Sequence, residues 1–456
     1  MEVCPKTHST APESKPHLSR RELLGLGVIG FGAVAFGGCS MNRTPRETPR
    51  TERSAVPSLE QKETETLPET IDFLIMGNIP PEERERIEST MHILQLRLEE
   101  TCNWHGAWSL RTVPSEENAT YTPKKVEDMI EANRQDLSPD TLESTITGAL
   151  LVGGNVKIGN CGGYAVPDKN LFVANARTTN GEKLSNDALA YVVAHELGHA
   201  AFGLPHPREL STCTSDRNDT LSQYGALGSI QELLRTERIQ QPLHHGGTAG
   251  DNRNGKPDEY TVPVTVMGNR LNVVDHRAPV FSPAEIVYLD DSREVNVYDK
   301  KSLPGPDQKI ALSYREGDTF AALLELPPDH ALHQVLPNVK HICFGPTIES
   351  FNARHLPFDD ERTTPQIRVF AIDENGRDTT QLNIGIFTKI DNDGDGKEVV
   401  LYADEQLDIV AVAGRMDDSN DPYVRFLPLS GKEGSRIFEA EKTRTEERNK
   451  ILLNPA

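Results

Sequence analysis

Four side chains within one short stretch have the types and spacing to do chemistry together. The stretch is His195-Glu196-Leu197-Gly198-His199-Ala200-Ala201-Phe202-Gly203-Leu204-Pro205-His206. Residues four apart share a helical face, so His195 and His199 can present imidazole nitrogens to one ion. Glu196, beside the first of them, is placed to take a proton from water at that ion. Gly203 can adopt the positive φ that ends a helix, which lets the chain swing His206 back as a third ligand. Three protein ligands with an open fourth position are the arrangement of catalytic zinc sites; structural sites are closed by four. The chemistry expected is zinc-assisted hydrolysis, with His195, His199 and His206 on the metal and Glu196 as general base.

Such a site needs a rigid helix and a sheet to hold it. Ser185 is the expected N-cap and Asn186–Phe202 the helix body, with Leu189, Val193, Leu197 and Ala201 as its core face. Upstream, Ile71–Met76 reads as a buried strand. Pro81 then opens a helix with Ile87, Met91, Leu94 and Leu98 on one face. Ala107–Val113, Ala149–Val152, Gly162–Val166 and Asn170–Ala176 read as strands, the last two around Pro167-Asp168-Lys169. Strand, helix, strands, helix predicts an α/β arrangement. Downstream, Ser282 and Glu285 form a capping box with Pro283 at the first helical position.

With these flanks, the helix motif resembles the metzincin metallopeptidases from about Ile71 to Asp291, about half the chain. The resemblance implies a metzincin-like catalytic domain, α/β or α+β, with a twisted mixed sheet and an active-site helix. It implies a Met-containing turn under the metal, matched by Thr265-Val266-Met267-Gly268, and a closing helix that begins at Ser282. It also implies an edge strand pairing antiparallel with the substrate backbone, on Gly162, Gly163, Tyr164, Ala165 and Val166. Three departures stand out. His206 lies seven residues after His199, where the family has six, although the Gly203-to-His206 spacing is the usual one. Asn269 stands where some members carry a ligating Tyr, and Pro207 after the third His matches no subfamily. The extra residue is expected to be absorbed by a widened π-like turn across His199–Gly203, or by a helix ending one residue later. Either way, His206 stays in reach of the metal.

The 61 residues from His206 to Met267 hold an expected helix at Ser229–Glu237, a loop pair His244-His245, and Asp251, Asn254 and Asp258 around Gly255. That last group is either a calcium loop or a plain Asn-Gly turn.

The N-terminus reads as an export signal. Ser19-Arg20-Arg21-Glu22-Leu23-Leu24 runs into an uncharged, Gly-rich stretch of 16 residues from Leu23 to Gly38 and resembles a twin-arginine signal, and Phe36-Gly37-Gly38-Cys39 resembles a lipobox. Cys39 is then the lipidation site, and the expected location is the cell envelope, through an N-terminal lipid anchor only. Residues 40–69 are polar and Pro-punctuated, as in a disordered tether. Removing residues 1–38 (four Lys/Arg, three Glu) takes the formal charge from -21 to -22. So acidic a chain lacks the clustered Lys and Arg that a nucleic-acid partner requires. In an oxidising compartment, Cys102, Cys161, Cys213 and Cys343 suggest two disulfides, with three pairings open.

Beyond Ser302 the pattern turns to short β-like runs: Lys309–Tyr314, Ala321–Leu326, Gln366–Ile372, Leu382–Phe387, Val399–Tyr402 and Asp408–Val412. These predict a β-rich, sandwich-like domain. Within it, Asp391, Asp393 and Asp395 with Gly396 match the start of a calcium loop, a solvated acidic turn being the alternative. The expected organisation is a signal (1–39), a linker (40–69), a catalytic domain (70–300), a β domain (301–435) and a charged, helix-compatible tail (436–456). The function expected is an exported zinc endopeptidase acting on protein or peptide substrates. The alternative is a surface-anchored binding protein on the same scaffold that no longer cleaves. The longer His199–His206 spacing is its best support.

Overall fold

Mostly apolar runs, buried on both sides, build the centre of the first sheet, and the helices on its two faces follow from which residues each strand turns to which side. The structure is a computed structural model and describes residues 70–116, 119–134, 145–156, 162–178, 181–211, 227–237, 265, 267, 281–346, 367–374, 376, 378–383, 398–416 and 421–453. Outside them lie the signal with Cys39, the 40–69 linker, Cys161, Cys213, His244-His245, the 251–258 loop and the Asp391, Asp393, Asp395 loop.

The chain enters as β1 (Thr70–Met76) and α1 (Pro81–Cys102), the latter opened by Pro81 and an acidic first turn. Next come β2 (Ala107–Val113), β3 (Thr120–Tyr121), α2 (Pro123–Arg134), β4 (Thr145–Leu151), β5 (Asn155–Val156), β6 (Gly163–Val166) and β7 (Leu171–Asn175). The helix α3 (Asn186–Phe202) follows. The sheet order is β2-β1-β4-β7-β6, parallel throughout except for β6, which runs antiparallel on β7 at the edge. Ile71, Phe73 and Ile75 face α1 and α3, packing with Ile87, Met91, Leu94, Leu189 and Val193. Leu74 and Met76 face the other way onto Val126 and Ile130 of α2. This is a helix–sheet–helix sandwich, as the α/β pattern predicts.

The second half begins with β8 (Arg208–Ser211), α4 (Ile230–Arg235), α5 (Pro283–Leu289) and β9 (Glu294–Tyr298). It continues through β10 (Ile310–Ala311), β11 (Thr319–Glu325), β12 (Val339–Pro346), β13 (Ile367–Asp373) and β14 (Thr379–Asn383). The chain ends in β15 (Val399–Asp404), β16 (Ile409–Arg415), β17 (Pro422–Pro428) and α6 (Lys432–Leu453). A six-stranded sheet, β8-β14-β13-β12-β11-β9, stacks on a four-stranded one, β10-β17-β16-β15. The sandwich expected from the turn-punctuated runs is present in that sense. The expected boundary near residue 300 is crossed, because β8 and β9 precede it and pair inside the sheet that follows it.

The six-stranded sheet is buried on both faces. Ala322, Leu324, Ile342, Phe344, Val369 and Ala371 pack against the four-stranded sheet. The alternate residues Ala321, Leu323, Cys343, Phe370 and Ile372 belong to the same core as α1, α3 and α5. The described residues accordingly fall in one compact unit. The outer face of the four-stranded sheet is closed by α6, through Phe438 against Val400, Val410, Val412 and Leu427.

One expectation is overturned. Cys102 and Cys343 are both free and fully buried, so neither takes part in a disulfide. Burial pushes each thiol up to about 12, which leaves them as inert core residues. Among the described residues no helix is long and apolar enough to cross a membrane.

The shared core makes a thermodynamic prediction. Both tryptophans of the chain, Trp104 and Trp108, lie in the first half, and Phe370 lies in the second. Phe370→Ala is expected to cost about 3–5 kcal/mol. It should shift the urea midpoint read by tryptophan fluorescence as far as that read by circular dichroism. A tryptophan transition that ignores the substitution would mean two independent domains.

Candidate metal centre

Helix α3 is built as its sequence requires. Ser185 caps it, its side chain accepting from the Ala188 N–H, and Gly203 ends it in the left-handed region at φ 59°. The helix is mostly buried, and this fixes the motif: His195 and Glu196 are nearly inaccessible, while His199 and His206 are half-buried.

The three imidazoles converge. His206 Nε2 lies 3.1 Å from His195 Nε2 and 3.1 Å from His199 Nε2. Within one ligand set, arms of about 2.05 Å to a tetrahedral zinc give edges of about 3.3 Å, so the spacing suits such an ion. Donor chemistry points the same way. His199 Nδ1 is 2.7 Å from the Leu204 carbonyl, which can only accept, so Nδ1 carries the proton and Nε2 a lone pair. Burial holds the His199 imidazole below its ordinary value, against the Leu204 hydrogen bond, and so favours the neutral form that binds metals. Among the described residues, these three form the one cluster whose ligand atoms could hold a metal ion.

The extra residue before Gly203 is absorbed by a widened helix exit. The N–H of Gly203 bonds to Gly198 O, five residues back, and the N–H of Leu204 bonds to the same carbonyl at 3.0 Å. An ordinary left-handed end would close Gly203 onto His199 O, so the exit is one residue wider, a π-like closure. Of the two routes open to the sequence, the chain takes the first, and His206 reaches its partners.

Two glycines admit the supports. A Cβ on Gly198 would sit 2.3 Å from Met267 Sδ, so Met267, fully buried, packs where the helix between the two ligands lacks a side chain. A Cβ on Gly163 would lie 2.8 Å from Glu196 Oε1 and 2.4 Å from the Val173 carbonyl. Gly163 opens the edge strand β6, so the Glu196 carboxyl lies against the main chain of that strand. Gly162 faces Val192 of the same helix, Tyr164 donates to the Pro123 carbonyl at 3.0 Å, and Ala165 and Val166 pair with Phe172 and Leu171. Burial alone raises the Glu196 carboxyl to about 8.

Sequence reasoning missed two supports. The Leu204 carbonyl orients His199, and no residue type announces a main-chain acceptor. Glu285, visible as the N3 member of a capping box, does more than cap. Its Oε2 accepts from Ser282 N and from Thr265 Oγ1, both at 2.6 Å, and Thr265 Oγ1 accepts from Met267 N at 3.2 Å. One carboxyl thus ties the start of α5 to the segment that places Met267.

Burial pushes the Glu285 carboxyl up to about 7, against the hydrogen bonds from Thr265 and Ser282. The folded chain then binds this proton more tightly than the unfolded one. Its contribution is complete below the ordinary carboxyl value of 4.5, fades as pH rises to about 7 and is flat above. Glu285→Gln mimics the protonated form. Its stability advantage over the parent is expected to grow across that window, to on the order of 3 kcal/mol. A pH-independent difference would refute the assignment. For the metal, His206→Ala is expected to weaken zinc binding by about a hundredfold or more in chelator competition, since loss of outer-shell support alone reaches that range.

No family model and no curated protein matches the chain. One solved chain, from a structure described as a chaperone-substrate complex, overlaps 44% of this chain and 32% of its own, at 15% identity and a TM-score of 0.20. This chain thus spans about a third of that one, and a score so low aligns no fold.

Proposed function

We propose that the protein is an exported zinc-dependent endopeptidase whose first half is a catalytic domain of metzincin type. The observation that carries this reading is the meeting of the His195, His199 and His206 Nε2 atoms beside the Glu196 carboxyl, with that carboxyl against the edge strand β6. His195, His199 and His206 would hold the metal, which when bound supplies Lewis acidity to the scissile carbonyl and to the attacking water.

The rest falls to the chain's own residues. Glu196 takes the proton from the attacking water and returns it to the leaving nitrogen. Its raised affinity for a proton, from burial, suits the second half of that exchange, and a neighbouring cation suits the first. Main-chain groups of Gly163–Val166 hold an extended peptide, and the missing side chain at Gly163 lets the Glu196 carboxyl lie against that strand. The Leu204 carbonyl keeps His199 in the required tautomer. The longer His199–His206 spacing, which favoured a non-cleaving binding protein, loses its force because the widened exit returns His206 to the cluster. Export with lipidation at Cys39 and a calcium loop at Asp391, Asp393 and Asp395 belong to the same proposal on sequence grounds.

Glu196→Gln is expected to lower casein cleavage by about a hundredfold to ten-thousandfold while zinc content stays at one ion per chain. A chelator should abolish the parent's activity and zinc should restore it. Cleavage by the Gln variant at the parent's rate would end the proposal.

A further inference from the structure

His206 hangs between two separate hydrophobic cores. Two residues before it, Leu204 is buried in the core shared with α3, its N–H on Gly198 O and its carbonyl on His199 Nδ1. Four residues after it, Leu210 is fully buried in the other core, between the two sheets of the sandwich. Pro207, between them, is buried and has its φ fixed by its ring. The intervening strand β8 is the edge of the six-stranded sheet and runs parallel to β14, with Arg208 opposite Thr380 and Leu210 opposite Leu382. Arg208 Nη2 also reaches Asp378 Oδ2, just ahead of β14, at 2.9 Å. The segment that carries the third ligand is therefore pinned on one side by the helix exit and on the other by a strand 170 residues away in sequence.

We propose that the β-sandwich is the mount of the third metal ligand, and that Leu210 and the Arg208–Asp378 pair are positioning residues for His206. This rests on the zinc-centre reading above. Its physical basis is the long spacing. A π-like exit leaves the chain after Gly203 with less helical restraint than a tight one, so the direction in which His206 points depends on where β8 is fastened. Arg208 and Asp378 are both about one-third exposed, and such a pair is weak alone. It acts with the main-chain ladder and with Leu210, which seats β8 in depth. Linkage makes the effect reciprocal: metal binding favours the docked strand by the factor by which docking favours the metal.

The test uses the full-length protein with Zn2+ in chelator competition and Co2+ for visible absorption, which reports the ligand set. Leu210→Ala is expected to raise the Zn2+ dissociation constant about tenfold and to move the Co2+ spectrum toward that of His206→Ala. Arg208→Asp and Asp378→Arg should each weaken Zn2+ binding, and the double exchange should recover it, a rescue that ties the effect to this pair. Val424→Ala removes apolar volume from the same core on β17, away from β8. It should lower Tm comparably while leaving Zn2+ affinity and Co2+ spectrum unchanged. Wild-type Zn2+ affinity in both Leu210→Ala and Asp378→Arg would overturn the proposal, as would equal weakening by Val424→Ala. If His206→Ala binds Zn2+ as the parent does, the ligand set itself is wrong and the positioning role falls with it. If His206→Ala is weak while Leu210→Ala and Asp378→Arg both bind Zn2+ as the parent does, only the positioning role falls.

Discussion

His206 Nε2 lies 3.1 Å from both His195 Nε2 and His199 Nε2, a spacing at which two lone pairs repel unless a proton or a cation lies between them. His199 has already committed its proton at Nδ1 to the Leu204 carbonyl, so its Nε2 offers a lone pair. One proton on His206 Nε2 serves one of its two contacts well and not both. A cation that takes all three lone pairs satisfies the set, and the surrounding structure can be read as the means of keeping these nitrogens together. The helix supplies the first two through their four-residue spacing, Gly198 admits Met267 against the turn between them, and Gly203 with Leu204 brings back the third. Each support is a backbone or packing device, and none adds a charge of its own next to the cluster.

The second dependence runs through the six-stranded sheet. Strands such as β11 (Thr-Phe-Ala-Ala-Leu-Leu-Glu) and β13 (Ile-Arg-Val-Phe-Ala-Ile-Asp) place apolar residues on both faces, and both faces are covered. Removing the C-terminal half would uncover the residues of α1 and α3 that share a core with Leu323, Phe370 and Ile372. The cost of exposing so much apolar surface explains why the chain unites the two halves instead of stringing them on a linker.

Much of this was legible in the residues. The Ser185 cap, the span of α3, the left-handed Gly203 and the Ser282–Glu285 box follow from local chemistry, and local chemistry decides them in the fold. The edge position of Gly163–Val166 came from resemblance, and the sheet order agrees. What sequence reasoning did not reach is non-local. The double burial was signalled by unbroken apolar runs such as Ala321–Leu324, which a half-solvated strand does not carry, yet turn spacing alone suggested a separate sandwich. Strand β12 (Val339–Pro346) carries a Gly and a Pro, which strands disfavour, and helix α2 is short and mostly polar, with Val126 and Ile130 its buried apolar residues. The disulfide expectation failed because compartment and cysteine count say nothing of distance. Cys102 and Cys343 are each packed as small apolar groups in the core.

The unusual spacing and the unusual connectivity explain each other. A third ligand six residues after the second can leave an α-helix through a tight left-handed turn, and that turn aims it. One more residue forces the exit to open by one hydrogen-bond step, onto Gly198 O, and an opened turn aims less well. The chain answers by running directly from His206 into a strand, with a buried Pro207 between, and by fastening that strand to a sheet that is already rigid because it is buried on both faces. On the proposed positioning role, a spacing that looks like damage to the motif when read along the helix would become workable because the sandwich takes part in holding the site. If the centre binds zinc as proposed, the C-terminal half takes part in its chemistry by holding β8, with none of its described side chains in the metal cluster.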